Sequence, residues 1–213
     1  MMDTETKRVP KGHRWFAATY DILTRWSERK LLSQLRARTT GEATGTVLEV
    51  GAGTGANLLY YKRDRVGKIV ATEPDPYMLR RAERRARELG ASVEFHQCSA
   101  EALPFAAASF DTVVATLVFC SVEDPARALA EVKRVLKPGG AFRFIEHVRA
   151  EGGAGGRLQD ILTPVWKRIG AGCHLNRRTA ASIAAAGFEI VDLEQRPTPL
   201  MPIIFGWARP RKG

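Results

Sequence analysis

Cysteine is scarce in this chain: Cys98, Cys120 and Cys173 are the only three in 213 residues. Their number is odd, their spacing matches no local metal-ligand pattern, and no secretory leader precedes them. Reduced thiols in a cytoplasmic protein are therefore expected, with no bound metal. Long apolar runs are missing as well; none approaches the roughly eighteen residues that cross a bilayer as a helix. Internal repeats, low-complexity tracts and linker-like stretches are also lacking, so the chain reads as a single domain, residues 1–213, with a sizeable core. The longest glycine-rich piece, Gly152-Gly153-Ala154-Gly155-Gly156, is too short to join domains and is expected to form a mobile turn beside the functional site. Two phosphate-binding signatures, G-x-G-x-x-G and G-x-x-x-x-G-K-S/T, are absent too.

Acidic residues are in the minority, 23 against 33 lysines and arginines, for a net charge of +10. Such an excess is consistent with solvated helix faces, and the cations form no nucleic-acid module with interleaved aromatics, so no nucleic acid is expected as a partner. The stretch from His13 to Leu35 mixes cations with Trp15, Phe16, Tyr20, Ile22, Leu23, Trp26, Leu31, Leu32 and Leu35. It is suited either to peripheral contact with an anionic membrane surface or to a helical lid over a pocket. The lid is preferred.

What the chain does have is a strand that runs into three glycines. In Thr46-Val47-Leu48-Glu49-Val50-Gly51-Ala52-Gly53-Thr54-Gly55 the apolar residues are β-compatible, and the glycines permit a sharp turn and a close backbone approach to a ligand. The spacing is G-x-G-x-G, and the nearby charge is the carboxylate of Glu49, which suits a ligand carrying positive charge. About twenty residues on, Lys68 to Glu73 reads as a second strand ending in an acid, the spacing at which a carboxylate reaches both hydroxyls of a ribose. Asp75 and Pro76 then open a helix as N-cap and first residue, with Met78, Leu79, Ala82, Ala86 and Leu89 as its apolar stripe and Gly90 as its end. A third strand, Ser92 to Gln97, leads into Cys98 to Phe105, a loop placed to meet an adenine. The fourth strand, Phe110 to Leu117, is nearly all apolar after Asp111, as in a parallel strand covered on both faces.

Taken in order, E-V-G-A-G-T-G, the acid ending the second strand, A-E-A-L-P-F, S-F-D-T-V-V and E-V-K-R-V-L-K-P-G-G resemble the class I S-adenosylmethionine-dependent methyltransferases over residues 46–147. A narrower likeness, in T-L-V-F-C-S-V, G-G-A-F-R-F-I-E-H-V and G-C-H-L-N-R, is to the methyltransferase-like alkyl-thiol S-methyltransferases and to related bacterial phospholipid and quinone methylating enzymes. The resemblance implies an α/β fold: one Rossmann-like domain whose seven-stranded, mostly parallel sheet has an antiparallel last strand, with helices on both faces. It divides the chain into an N-terminal helical lid (1–45), a cofactor-binding core (46–147) and a substrate-side segment with the final strands (148–213). It implies S-adenosyl-L-methionine as cofactor, held by Glu49, Gly51, Ala52, Gly53, Gly55, Asn57, Glu73, Pro74, Ser99, Ala100, Glu101, Thr116 and Leu117. The implied partner is a small-molecule acceptor and the implied state a monomer or weak dimer.

Methyl transfer from a sulfonium is an in-line displacement of an already activated group, so alignment and exclusion of water come first and a strong base is optional. For a thiol acceptor, His147 just beyond the fifth strand is the candidate catalytic base, at the sheet edge where ligands of parallel sheets bind. Trp15, Tyr20, Cys120, Asp160, Trp166 and His174 are the candidate acceptor contacts. A helix is expected over Arg157 to Ile169, interrupted at Pro164, its stripe of Leu158, Ile161, Leu162, Val165, Trp166 and Ile169 serving either the core or an acceptor pocket. The expected acceptor is lipophilic, a thiol first and a phospholipid amine or quinone-like ring second. A non-catalytic cofactor-binding module is the alternative of another class.

Overall fold

A computed structural model describes residues 31–170, 172–198 and 201–211, the side chain of Ile169 excepted. Trp15 and Tyr20, and most of the expected lid, lie outside the described residues.

Seven strands form one sheet: β1 (Gly45–Val50), β2 (Val66–Thr72), β3 (Val93–His96), β4 (Phe110–Thr116), β5 (Leu136–His147), β6 (Phe188–Arg196) and β7 (Ile203–Pro210). Their order is β3-β2-β1-β4-β5-β7-β6. Strands β1 to β5 pair in parallel, and β7 lies antiparallel between β5 and β6. This is the expected mostly parallel sheet with its reversed last strand. Strand order turns back between β1 and β4, so the chain leaves their carboxyl ends in opposite directions and opens a crevice there.

Among the described residues five α-helices pack around the sheet: α1 (Ser33–Thr39), α2 (Pro76–Glu88), α3 (Pro125–Val135), α4 (Gly153–Ile169) and α5 (Thr179–Ala185). Helix α2 starts as its sequence dictates. Asp75 accepts the backbone N–H groups of Tyr77 and Met78 at 2.8 and 3.2 Å, Pro76 takes the first position, and Met78, Leu79, Ala82 and Ala86 are buried. Helix α3 repeats the device with Asp124 and Pro125 and buries Ala128, Leu129, Val132 and Val135. Between the helices, Leu48, Val50, Val113, Ala115, Phe142 and Phe144 fill the largest cluster of the core.

Two expectations need correction. The glycine run after β5 is no turn, because Gly153 to Gly156 form the first turn of α4. The buried amide of Gln159 ties this turn down, accepting the N–H of Ala150 at 2.7 Å and donating to the carbonyl of Val148 at 3.3 Å. The guanidinium of Arg149 packs on Gly156, where a Cβ would stand 2.9 Å from it. Nor does Pro164 interrupt α4, which continues through it; Thr163 turns its hydroxyl onto the carbonyl of Gln159 at 2.6 Å. The helix's apolar stripe divides in two. Leu162 and Trp166 pack inward, whereas Leu158, Ile161 and Val165 are exposed. No helix among the described residues is long and apolar enough to cross a membrane.

Candidate functional site

The crevice begins at the end of β1. Gly51, Gly53 and Gly55 all have positive φ, 64°, 58° and 78°, where a side chain is strained. Their surroundings differ. A Cβ on Gly51 would strike Val118 at 2.7 Å and one on Gly55 would crowd Leu58 and Ala82, whereas one on Gly53 would have nothing within 4 Å. Gly53 therefore turns a bare backbone face to open space. Its N–H donates to one oxygen of Glu73 at 2.9 Å, and the N–H of Asp75 donates to the other at 2.9 Å. Burial raises the pKa of Glu73 and these two donors oppose the shift. The acid expected to hold a ribose thus sits beside the glycine loop, fixed by backbone.

The next strand ends supply the rest of this rim. The carbonyl of Pro74 accepts the side-chain amide of Gln97 at 3.2 Å, and Ala100 is buried. Ser99 donates to Glu101 at 2.7 Å, and Glu101 in turn accepts the N–H of Asp124 at 2.9 Å, joining the loop after β3 to the start of α3. Leu117, just past β4, holds a positive φ of 58° and donates its N–H to Ile145 at 2.7 Å.

Glu49 and Asn57 lie behind this surface. Glu49 is fully buried and gives one oxygen to Asn57 at 3.0 Å and the other to the hydroxyl of Tyr61 at 2.9 Å. Asn57 also donates to Thr116 at 3.0 Å and accepts from Arg36 of α1 at 2.6 Å. Burial pushes Glu49 up to about 7 against the pull of Tyr61, Arg36 and Asn57. This network backs the glycine loop and ties it to β4 and α1. Arg36 and Tyr61 went unforeseen, since a single buried arginine in a short helix leaves no periodic mark.

On the far side of the crevice the ends of β4 and β5 meet the segment after α4. Glu146, fully buried, accepts the backbone N–H groups of Val118, Phe119 and Cys120 at 2.9, 3.0 and 3.2 Å. Arg177 donates to the carbonyls of Phe119 and Val122 at 2.5 and 2.6 Å. The N–H of His174 reaches the carbonyl of Cys120 at 2.7 Å, with its Nδ1 3.3 Å from the same oxygen. Glu146 and Arg177 were not among the expected site residues; an acid inside the apolar run F-R-F-I-E-H was the available signal.

These clamps bring two of the expected residues, Cys120 and His147, together with Cys173, which was not among them. Ligand atoms of Cys120, His147 and Cys173 all lie within 4.8 Å of one another. Trp166 and Leu162 cover the two thiols from α4. His147 ends β5 and is half-buried, and its Nδ1 is buried without a well-directed hydrogen bond; the same holds for Nε1 of Trp166. The thiols differ in acidity. Cys173 is pulled below the ordinary thiol range by Cys120, then by His147 and Trp166, while Cys120 is pushed up by Cys173 and by its own burial. Asp160 stands apart from this group, bound to Arg149 at 2.5 Å and to Asn176 at 2.9 Å. A cavity of about 600 Å³ lies elsewhere, between the starts of α4 and α5 and the β6–β7 pair, with Arg149, Arg157 and Arg178 among its lining residues.

Comparison with known proteins places residues 48–144 in the family described as "Methyltransferase domain". The chain is similar to the thiol S-methyltransferase TMT1B of Rattus norvegicus, 39% identical over 176 residues, 81% of this chain and 71% of the rat protein. It is 34% identical to the thiol S-methyltransferase TMT1A of Homo sapiens, over 91% of this chain and 82% of the human protein. A more distant relative is the ubiquinone/menaquinone biosynthesis C-methyltransferase UbiE of Klebsiella pneumoniae, 32% identical over 61% of this chain and 55% of that protein. Among solved structures, the 4+2 cyclase SpnF matches with a TM-score of 0.69 and 27% identity, over 85% of this chain and 81% of its own.

Proposed function

This chain belongs to the family of S-adenosylmethionine-dependent methyltransferases that includes the thiol S-methyltransferases TMT1A and TMT1B, and on that footing we propose that its acceptor is a small lipophilic thiol. The residues at the crevice fit the cofactor. Gly53 leaves its backbone face clear, and Glu73 stands beside it as a hydroxyl-binding acid. When bound, S-adenosylmethionine supplies a methyl group activated by the positive charge on its sulfur. Gly51, Ala52, Gly53 and Gly55 would form its backbone cradle, with Glu73 on the ribose and Pro74, Ser99, Ala100, Glu101, Thr116 and Leu117 along the rim. Glu49 and Asn57 act by holding that cradle from behind.

The chain's own work is alignment, exclusion of water and disposal of one proton. His147 is the group for the proton: its ring stands at the carboxyl edge of β5 with Nδ1 unspent. A neutral imidazole there takes the proton of a thiol whose ordinary pKa is about 8.5 and leaves the more nucleophilic thiolate. Trp166, Leu162 and Leu117 supply apolar cover at the same corner, alongside Cys120 and His174. Trp15 and Tyr20 belong to the proposed lid.

The similarity to thiol S-methyltransferases across four fifths of the chain carries this reading. Likeness to UbiE supports a quinone-like acceptor as the second reading. Fold alone does not choose, since a cyclase shares it at 27% identity. The deciding experiment offers alkyl thiols, quinols and phospholipid amines with isotopically labelled S-adenosylmethionine and scores methylated products by mass spectrometry. Labelled thioethers alone are expected. Labelled quinols without thioethers would replace the thiol reading with the second. Tight cofactor binding with no product from any class would favour a non-catalytic module.

A further inference from the structure

We propose that Cys120, His147 and Cys173 form a three-ligand site for a borderline-soft divalent cation such as zinc, with the fourth position open. The three residues come from separate elements, the loop after β4, the last residue of β5 and the segment after α4, and their ligand atoms already lie within 4.8 Å of one another. Around a tetrahedral zinc, with bonds of about 2.3 Å to sulfur and 2.0–2.1 Å to nitrogen, ligand atoms stand roughly 3.5 Å apart. Side-chain adjustments of about 1 Å bring these three into range.

The backbone that carries the ligands is fixed in advance. Glu146 takes three successive N–H groups of residues 118 to 120, Arg177 grips Phe119 and Val122, and the N–H of His174 anchors the Cys173 segment to the carbonyl of Cys120. His147, which faces the Cys173 thiol, has a buried Nδ1 with no well-directed hydrogen bond, a position a ligand would satisfy. Trp166 and Leu162 seal one side and give the soft sulfur ligands a dry, apolar wall.

Charge also balances. On binding, each thiol releases its proton to solvent, and the two thiolates offset the charge of a divalent ion in a buried place. Two cysteines, one histidine and a vacant position suit zinc or cobalt better than magnesium or calcium, which demand oxygen ligands. In the loaded protein His147 spends its lone pair on the cation, so no free imidazole remains at this corner and metal occupancy competes with the base role given to His147 above. The site itself does not depend on the acceptor being a thiol.

The test uses the full chain, reduced and freed of metal by chelation, titrated anaerobically with Co²⁺. One equivalent is expected to produce a sulfur-to-cobalt charge-transfer band and visible bands of tetrahedral intensity, both displaced by one equivalent of Zn²⁺. Cys120→Ser and Cys173→Ser should each weaken the charge-transfer band and the affinity by roughly tenfold or more, and His147→Gln should shift the visible bands. Cys98→Ser, at a thiol outside the cluster, should change nothing. Absence of the band in the unsubstituted protein overturns the site, as does a band that survives in both cysteine variants while their unfolding curves remain native-like. A native mass two hydrogens low, with one titratable thiol in protein purified without reductant, would show a disulfide between Cys120 and Cys173 and overturn it equally.

Discussion

Glu146 accepts the backbone N–H of Val118 at 2.9 Å, and this contact starts a clamp that continues to Phe119 and Cys120. One buried carboxylate at the end of β5 thereby fixes the loop leaving β4, where the cofactor rim and the acceptor corner meet. Glutamine at this position has a single acceptor oxygen, so its NH₂ would face the N–H of Cys120, donor against donor. Glu146→Gln is expected to cost about 1–3 kcal/mol, read from urea unfolding, and to speed amide hydrogen exchange at residues 118–120. Unchanged stability would show that the clamp is dispensable.

Gly53→Val tests the cofactor cradle. The native φ of 58° disfavours any side chain, and a branched one would enter the open space that the bare backbone faces. Loss of S-adenosylmethionine binding by calorimetry, in a protein that still unfolds cooperatively, is the expected result. Retained affinity would move the cofactor away from this loop.

Glu73→Ala should weaken the same binding by about 1–3 kcal/mol, the range for losing hydrogen bonds to a charged group. Because Gly53 and Asp75 also donate to this carboxylate, part of the loss would come from a loosened loop. Glu73→Gln separates the two effects, since it keeps an acceptor for one backbone N–H. If both variants bind with native affinity, the acid does not touch the cofactor.

Legibility followed locality. The glycine loop, the acid after β2 and the Asp-Pro helix starts are contiguous in the chain, and each carries its reason within a few residues. The mostly parallel sheet with its reversed last strand came with the family resemblance, whereas the strand order β3-β2-β1-β4-β5-β7-β6 is read from the fold alone. Contacts made only by folding left no such mark. Cys120 and Cys173 lie far apart in sequence and looked unrelated by spacing, yet the His174–Cys120 backbone bond joins their segments. Glu49 suited a positively charged ligand when read as a lone acid beside glycines, but in the fold Asn57 and Tyr61 occupy its oxygens. The glycines after β5 suggested a turn because the sequence does not disclose that Arg149 packs against Gly156 or that Gln159 ties the helix start to the end of the strand.

Buried Glu49 also predicts how stability varies with pH. Desolvation raises its pKa from 4.5 to about 7, so between those values the folded chain holds a proton that the unfolded chain releases. Its contribution is therefore fully present below pH 4.5 and lost as pH rises through about 7, at about 1.4 kcal/mol for each unit of difference. Glu146, raised to about 7 by burial despite its three N–H donors, acts in the same direction. Glu49→Gln keeps an acceptor for Tyr61 or Asn57 and removes the titration of Glu49, leaving those of Glu146 and Glu73. In urea unfolding across this window, the decline in stability with rising pH should be shallower in the variant than in the unsubstituted chain. An undiminished slope would mean that Glu49 is ionised throughout and that Arg36 outweighs its burial.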